Sequence, residues 1–369
     1  MGKTTEENAP IFMKSKDVKE KFNDNVKDTH KASYVNKDVK KAVIPAGGFG
    51  TRLLPATKAI PKEMLPILDR PAIEYIVEEA IHSGIEEIFI ITAGGKEAVL
   101  NHFDRDKELE NALWKKGGKE EGDDDELLER VKRLSDIHVH YIRQKEPRGL
   151  GDAIMHARSF VGEEPFGVLL GDAIVKTREK RPCLKQLMDV YEKNSAGVVG
   201  VRQIDLEDSI KYGMIKGEKL GEKLKESKNI EGIENAGNLR NIEDYRNDEC
   251  EDEVDEIVRI DSIIEKPSPD KTPSNLGTMG RYVFEPEIFD CLEETKPGVD
   301  GEVQLTDAID IQARTGTVLA YTVKAIRYDT GSLMGYLKTM LEFGLEHEEV
   351  GPKLKEYIKT IQGGRSNEF

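Results

Sequence analysis

The sequence predicts an α/β fold, a sheet flanked by helices, on three observations. From Lys41 onward, short apolar runs of strand length alternate with stretches whose apolar residues recur at helical spacing, as in layered α/β domains. The first of these runs, Ala42 to Pro45, leads straight into Gly47, Gly48 and Gly50, a turn that lets the backbone approach a ligand closely. The length, 369 residues, is enough for one elaborated domain with a sizeable core.

Residues 1–39 are rich in lysine and acids, carry few apolar positions and hold no sustained periodicity. They read as a mobile N-terminal extension, with room for a short helix around Val18 to Phe22. Strands are then expected at Ala42–Pro45, Ile88–Thr92, Val139–Arg143, Phe166–Leu170, Ala196–Val201, Arg281–Val283 and Val318–Val323. Helices are expected at Pro71–Ser83, Lys96–Phe103, Glu126–Leu134, Gly151–Phe160, Leu184–Asn194 and Gln304–Arg314. Met214 to about Val258 breaks this rhythm with charges and glycines, including the acidic run Asp248 to Glu256. Within a domain spanning 40–332, the stretch at about 215–258 reads as a solvated insertion or as a regulatory or oligomerisation arm. Helical spacing returns from Leu333 to Ile361, so 333–369 reads as a C-terminal helical segment packing on the domain or on another subunit.

Composition narrows the function. A net charge of -16 argues against a general nucleic-acid partner, because grip on a phosphate backbone needs a positive surface. Cys183, Cys250 and Cys291 are widely spaced and form no CxxC pair, which points away from disulfides and thiolate zinc and towards a reducing cytoplasm. No apolar run approaches the roughly 20 residues needed to span a bilayer, and the N-terminus has no signal-peptide core, so no membrane partner is expected.

The chemistry gathers around the glycine turn. Exposed N–H groups in such a turn attract anions. Arg52 supplies a fork-shaped donor directly after it and Lys62 a point charge ten residues later, a pairing suited to polyphosphate. Leu53 stands where a dinucleotide fingerprint needs its third glycine, and the turn is not followed after four residues by the Gly-Lys-Ser/Thr of a P-loop. Asp172 ends the apolar run "GVLLGDAIV" at the strand edge where α/β sheets bind ligands, as a magnesium ligand or a turn aspartate. Asp329 in "RYDTGS" repeats that placement. In "SIIEKP", Glu265 and Lys266 are adjacent at a strand end and should face opposite ways, one to sugar hydroxyls and the other to a sugar phosphate. Gln144, near Gly149 in "YIRQKEPRGLG", carries the acceptor and donors that complement an imide edge such as uracil or thymine, or bonds its own loop.

In this order, "AGGFGTRLLPATKAIPKEMLPI", "FDRDKELE", "YIRQKEPRGLG", "LLGDAIV", "YGMI", "EKP", "PSNLGTMGRYVF", "GEVQLTDAI" and "YDTGSLMGY" resemble the bacterial and archaeal UTP:glucose-1-phosphate uridylyltransferases of the sugar-nucleotide pyrophosphorylase superfamily. The resemblance runs from about Lys40 to Lys359. It implies a Rossmann-like nucleotide-diphospho-sugar transferase fold with a mixed, mostly parallel central sheet flanked by helices. It also implies Mg2+-dependent conversion of UTP and glucose 1-phosphate to UDP-glucose and pyrophosphate, and a homo-oligomer, dimer or tetramer. By the same resemblance Ala46, Gly47 and Gly48 would meet the nucleotide through backbone, Arg52 and Lys62 the phosphates, and Gln144 and Gly149 the uracil. Asp172, assisted by Asp329, would hold magnesium; Gly213, Glu265 and Asn275 would meet the sugar hydroxyls and Lys266 its phosphate. Two positions depart from the family pattern: Ala173 follows Asp172 where a second Asp is usual, and Asp152 follows "GLG" where His is usual.

Overall fold

The computed structural model describes residues 38–117, 123–177, 179–220, 256–298 and 301–364. Its strands are β1 (Lys41–Pro45), β2 (Pro66–Ile67), β3 (Arg70–Pro71), β4 (Glu87–Thr92), β5 (Val139–Arg143), β6 (Phe166–Leu169) and β7 (Ala173–Thr177), followed by β8 (Gly197–Gln203), β9 (Gly213–Lys219), β10 (Ile257–Glu265), β11 (Leu276–Phe284), β12 (Val318–Thr322) and β13 (Ala325–Asp329). Nine of them make one sheet in the order β5-β4-β1-β6-β11-β8-β12-β10-β9. From β5 to β6 all neighbours are parallel, as are β8 and β12. Only β11 and β10 run against their neighbours, so the sheet is mixed with most strands pointing one way.

Because this sheet is covered on both faces, its central strands are apolar on both, and alternation divides the side chains between two cores. Ala42, Ile44, Ile88 and Ile90 face one core, closed by helices Ala72–His82 and Cys183–Asn194 through Ile73, Ile76, Leu184 and Leu187. Val43, Phe89 and Ile91 face the other, closed by helices Leu150–Met155, Ile288–Glu294 and Leu305–Thr315 through Ile154, Phe289 and Leu305.

A buried ion pair lies inside this packing. Arg281 on β11 is fully buried, and its Nε and Nη2 reach the Glu79 carboxylate on helix Ala72–His82 at 3.0 and 2.7 Å. Its other bonds go to the carbonyls of Gly280 and Ala173 at 3.0 and 2.8 Å. Each of the three guanidinium nitrogens thereby has a partner, which is the condition under which a buried cation is tolerated.

The structure differs from the sequence expectation in identifiable places. Met214 to Val258 is not irregular throughout: β9 and β10 pair over Gly213–Lys219 and Ile257–Glu265, shortening the stretch at both ends, and 221–255 lies outside the described residues. The polar look of "KGEK" has a physical reason, since β9 is an edge strand whose outer residues stay solvated. Helix Gly151–Phe160 divides into Leu150–Met155 and Arg158–Val161, and helices Lys107–Gly117 and Ile288–Glu294 were not foreseen. Nor were the ribbons β2–β3 and β7–β13. Of the expected N-terminal extension only Asp38 and Val39 are described. At the other end, helix Leu333–Glu346 lays Tyr336, Met340 and Phe343 on a small core of Ile67, Ala72, Ile174 and Tyr328, and helix Val350–Gly364 follows it. No described helix is long and apolar enough to cross a membrane.

Candidate active site

β1 delivers its chain to the carboxyl edge of the sheet, where the glycine turn begins. Ala46 anchors that turn: its N–H donates to Ile91 O at 2.8 Å, and its carbonyl accepts from Lys96 Nζ at 2.6 Å. Both polar groups of Ala46 are thus engaged within the protein; in the turn itself Gly47 is buried and Gly48 is exposed. Lys96 also binds Glu63 at 2.7 Å, and both side chains are nearly fully buried. Burial pushes the Glu63 carboxyl up and the Lys96 ammonium down from their ordinary values, against their mutual attraction. Sequence reasoning passed over this pair. The only signal was Glu63 standing beside Lys62, because nothing in one dimension brings Lys96 to Glu63.

Lys62 follows a short turn that returns the chain to the glycines, and its Nζ would lie 3.2 Å from a β-carbon placed on Gly48. On its far side it binds Asp172 Oδ2 at 2.6 Å. Burial works against ionisation of Asp172, but Lys62, helped by Arg327, outweighs it and draws the carboxyl down to about 2. Asp172 is consequently a carboxylate throughout the neutral range. Gly171, just before it, packs so tightly on β1 that an added β-carbon would stand 2.7 Å from Pro45 O.

Asp329 arrives beside Asp172 through the β7–β13 ribbon, where it is the register partner of Ala173. Asp329 Oδ1 and Asp172 Oδ2 converge on Gly331, 3.2 and 3.5 Å from where a β-carbon would sit. The Thr330 hydroxyl and amide close the turn onto Asp172 O at 3.0 and 3.2 Å. Two carboxylates with an open side suit magnesium, which takes oxygen ligands and is commonly held by one or two carboxylates plus substrate phosphates and water. No cluster of three or more His, Cys, Asp or Glu suited to a metal occurs among the described residues, so a preformed all-protein cage is not what the chain offers there.

A cleft of about 650 Å3 opens beyond these groups, lined by Arg52, Asp172, Gly213, Glu265, Lys266 and Asp329 among others. Gly213 and Glu265 are register partners on β9 and β10. The expectation that Glu265 and Lys266 face opposite ways is corrected: Lys266 leaves the strand with φ 46°, its N–H bonds Tyr212 O at 3.0 Å, and its ammonium lies 3.1 Å from Glu265. The turn out of β10 breaks the alternation, so both side chains line the same cleft. Asn275 is exposed just before β11, with its carbonyl accepting from Ile204 N, and it is absent from the cleft wall.

Arg327 also lines the cleft and was missed by the sequence reading. It stands two residues before Asp329 on β13, hence on the same face, with its guanidinium 5.2 Å from the Tyr212 ring centre and its buried Nε without a hydrogen-bond partner among the described residues. The alternation of "RYD" could have revealed it had β13 been recognised as a strand. On the opposite flank of the glycine turn, Gln144 is 3% exposed, and Gly149 takes φ 105°, a backbone that side chains rarely adopt, packed on Val303. A larger cavity of about 1020 Å3, between helix Ala72–His82, Arg130–His138 and the end of helix Leu333–Glu346, contains none of these groups.

Known proteins resemble this chain over most of its length. A family model described as nucleotidyl transferase matches residues 41–234 and 249–344. A UTP–glucose-1-phosphate uridylyltransferase of Bacillus subtilis is 44% identical over 326 residues, covering 88% of this chain and 98% of the relative. One from Streptococcus pyogenes is 43% identical over 322 residues, 87% of this chain and 93% of its own. Among solved structures, a UDP-glucose pyrophosphorylase complexed with UDP-glucose superposes with a TM-score of 0.66 at 35% identity, covering 83% of this chain and 98% of that one. A UTP-bound UGPase from Acinetobacter baumannii gives 0.70 at 36% identity, covering 87% and 99%.

Proposed function

Because the chain belongs to the nucleotidyl transferase family, we propose that it carries uridylyl from UTP to glucose 1-phosphate, giving UDP-glucose and pyrophosphate. The observation that carries the proposal is the convergence of Arg52, Lys62, Lys266 and Arg327 around Asp172 and Asp329 at one end of the sheet. Both substrates are anions. Two unit charges about 4 Å apart repel by roughly 4 kcal/mol at an effective dielectric near 20, and this pair of substrates presents several such contacts.

The glycine turn receives the nucleotide with the backbone of Gly47 and Gly48, while Gln144 and Gly149 border the base. Arg52 and Lys62 hold the triphosphate, Lys266 and Arg327 draw in the sugar phosphate, and Glu265 accepts from sugar hydroxyls beside Gly213. A phosphate oxygen of glucose 1-phosphate then attacks the α-phosphorus of UTP in line and pyrophosphate leaves, with no covalent enzyme intermediate. The attacking oxygen is already ionised, so no general base is needed. Mg2+ held by Asp172 and Asp329, when bound, would neutralise phosphate charge that the side chains leave uncompensated. With Cys183 and Cys291 both free thiols, we assign the reaction to a reducing cytoplasm.

A pyrophosphate-release assay crossing UTP, dTTP, CTP and ATP with several sugar 1-phosphates tests the reading, with release expected first for UTP and glucose 1-phosphate and abolished by chelation of divalent metal. Binding of sugar nucleotides without release from any pair would mark the chain as a sensor instead. Within the same assay, Lys266→Ala is expected to raise the KM for glucose 1-phosphate about 10- to 100-fold, the worth of one charged hydrogen bond, with a much smaller change for UTP. Equal changes in both constants would move the sugar phosphate elsewhere.

A further inference from the structure

We propose that Asp152 sets the base specificity of the enzyme by locking the side-chain amide of Gln144 in a single orientation. Gln144 Nε2 donates to Asp152 Oδ2 at 2.5 Å. A carboxylate only accepts hydrogen bonds, so the amide nitrogen must face it and the amide oxygen must face away. That oxygen points to the nucleotide turn, 3.1 Å from where a β-carbon on Gly47 would lie, and no hydrogen bond reaches it among the described residues. The backbone is held as firmly: Gln144 N–H bonds Thr92 O at 2.8 Å, and the residue is 3% exposed. Rotation of the amide would bring two acceptors, Gln144 Oε1 and Asp152 Oδ2, against each other in a part-buried site, which replaces a hydrogen bond by a repulsion.

The chemical consequence is directional. Gln144 presents an acceptor to the base, matching the N3–H of uracil or thymine, and it opposes an acceptor to the bare N3 of cytosine. An imidazole at position 152 would donate or accept according to its tautomer and would leave the amide free to turn. The carboxylate removes that freedom. Asp152 is thus a positioning residue, acting on the nucleotide through Gln144. The inference rests on the uridylyl-transfer reading above, in which Gln144 borders the base.

The test compares kcat/KM for UTP, CTP and dTTP, each with glucose 1-phosphate, in the full-length protein and in Asp152→Asn, Gln144→Ala and the double variant. Asparagine has nearly the same shape but offers both a donor and an acceptor, so the amide can settle either way. The UTP:CTP ratio is expected to fall about tenfold or more in Asp152→Asn, the scale of one misdirected buried hydrogen bond, while the UTP:dTTP ratio stays constant because thymine shows the same edge. In the Gln144→Ala background the Asp152→Asn change is expected to have no further effect on the ratio. An unchanged UTP:CTP ratio in Asp152→Asn, or a change that persists without Gln144, overturns the inference while leaving uridylyl transfer standing. A wild-type protein that uses CTP as well as UTP overturns the base reading and the inference together.

Discussion

Asp172→Asn is expected to lower kcat about 1000-fold, the upper range for loss of one electrostatic group aimed at developing charge. The substitution keeps the shape of the side chain and removes its charge, so the loss is expected at the proposed metal site and at the partner of Lys62. The fold should survive. Asp172 sits at the cleft edge, its backbone carbonyl remains bonded to Thr330, and Lys62 can turn to solvent or phosphate. Turnover at saturating metal, the metal concentration for half-maximal rate and circular dichroism together settle the matter. Near-normal turnover with an unaltered metal requirement would remove Asp172 from the metal site.

For stability, the largest effect is expected from Arg281→Met. Removing one partner of a buried ion pair costs about 3–5 kcal/mol because the remaining charge is left uncompensated. Here the residue left behind is Glu79, and the carbonyls of Gly280 and Ala173 lose their donor as well. Urea titration should show the midpoint falling accordingly. Replacing Glu79 by Leu in the same protein should restore part of the loss, since an apolar pair removes the stranded charge. Recovery stays incomplete because Glu79 Oε1 also accepts from Leu184 N, at 3.2 Å. A single variant as stable as the parent would show that the guanidinium is dispensable. Turnover of that variant is informative too, because the Ala173 carbonyl that Arg281 holds immediately follows Asp172.

The central strands were legible in the sequence because burial on both faces makes them continuous apolar runs: "AVI" in β1, "IFIIT" in β4 and "FGVL" in β6. The edge and the ribbons were not. β9 exposes Lys216, Glu218 and Lys219, and β13 alternates Arg327 with Asp329, so their composition is that of loops until partners supply the pairing. Arg281 sat inside an expected strand, yet its burial depends on Glu79, which lies 202 positions away in the chain. The site divides along the same line. Groups carried by a local motif, Gly47 and Gly48, Arg52 and Lys62, Asp172, could be named from their neighbours. Groups defined by a distant contact could not: Lys96 owes its place to Ala46 and Glu63, and Arg327 owes its own to Tyr212. Lys266 lines the cleft, but the direction expected for it was wrong, because a left-handed backbone after a strand leaves no mark in periodicity.

The abutment of Gly171 against Pro45 has a consequence for how such an enzyme can be altered. Main chain touching main chain sets the interval between the anion-seating turn and the first carboxylate, and no side chain serves as an adjustable shim. On the proposed reading, substrate range is open to revision through residues 144, 152, 265 or 327. The gauge that spaces the reacting groups is fixed in peptide bonds and passes unaltered through every such revision.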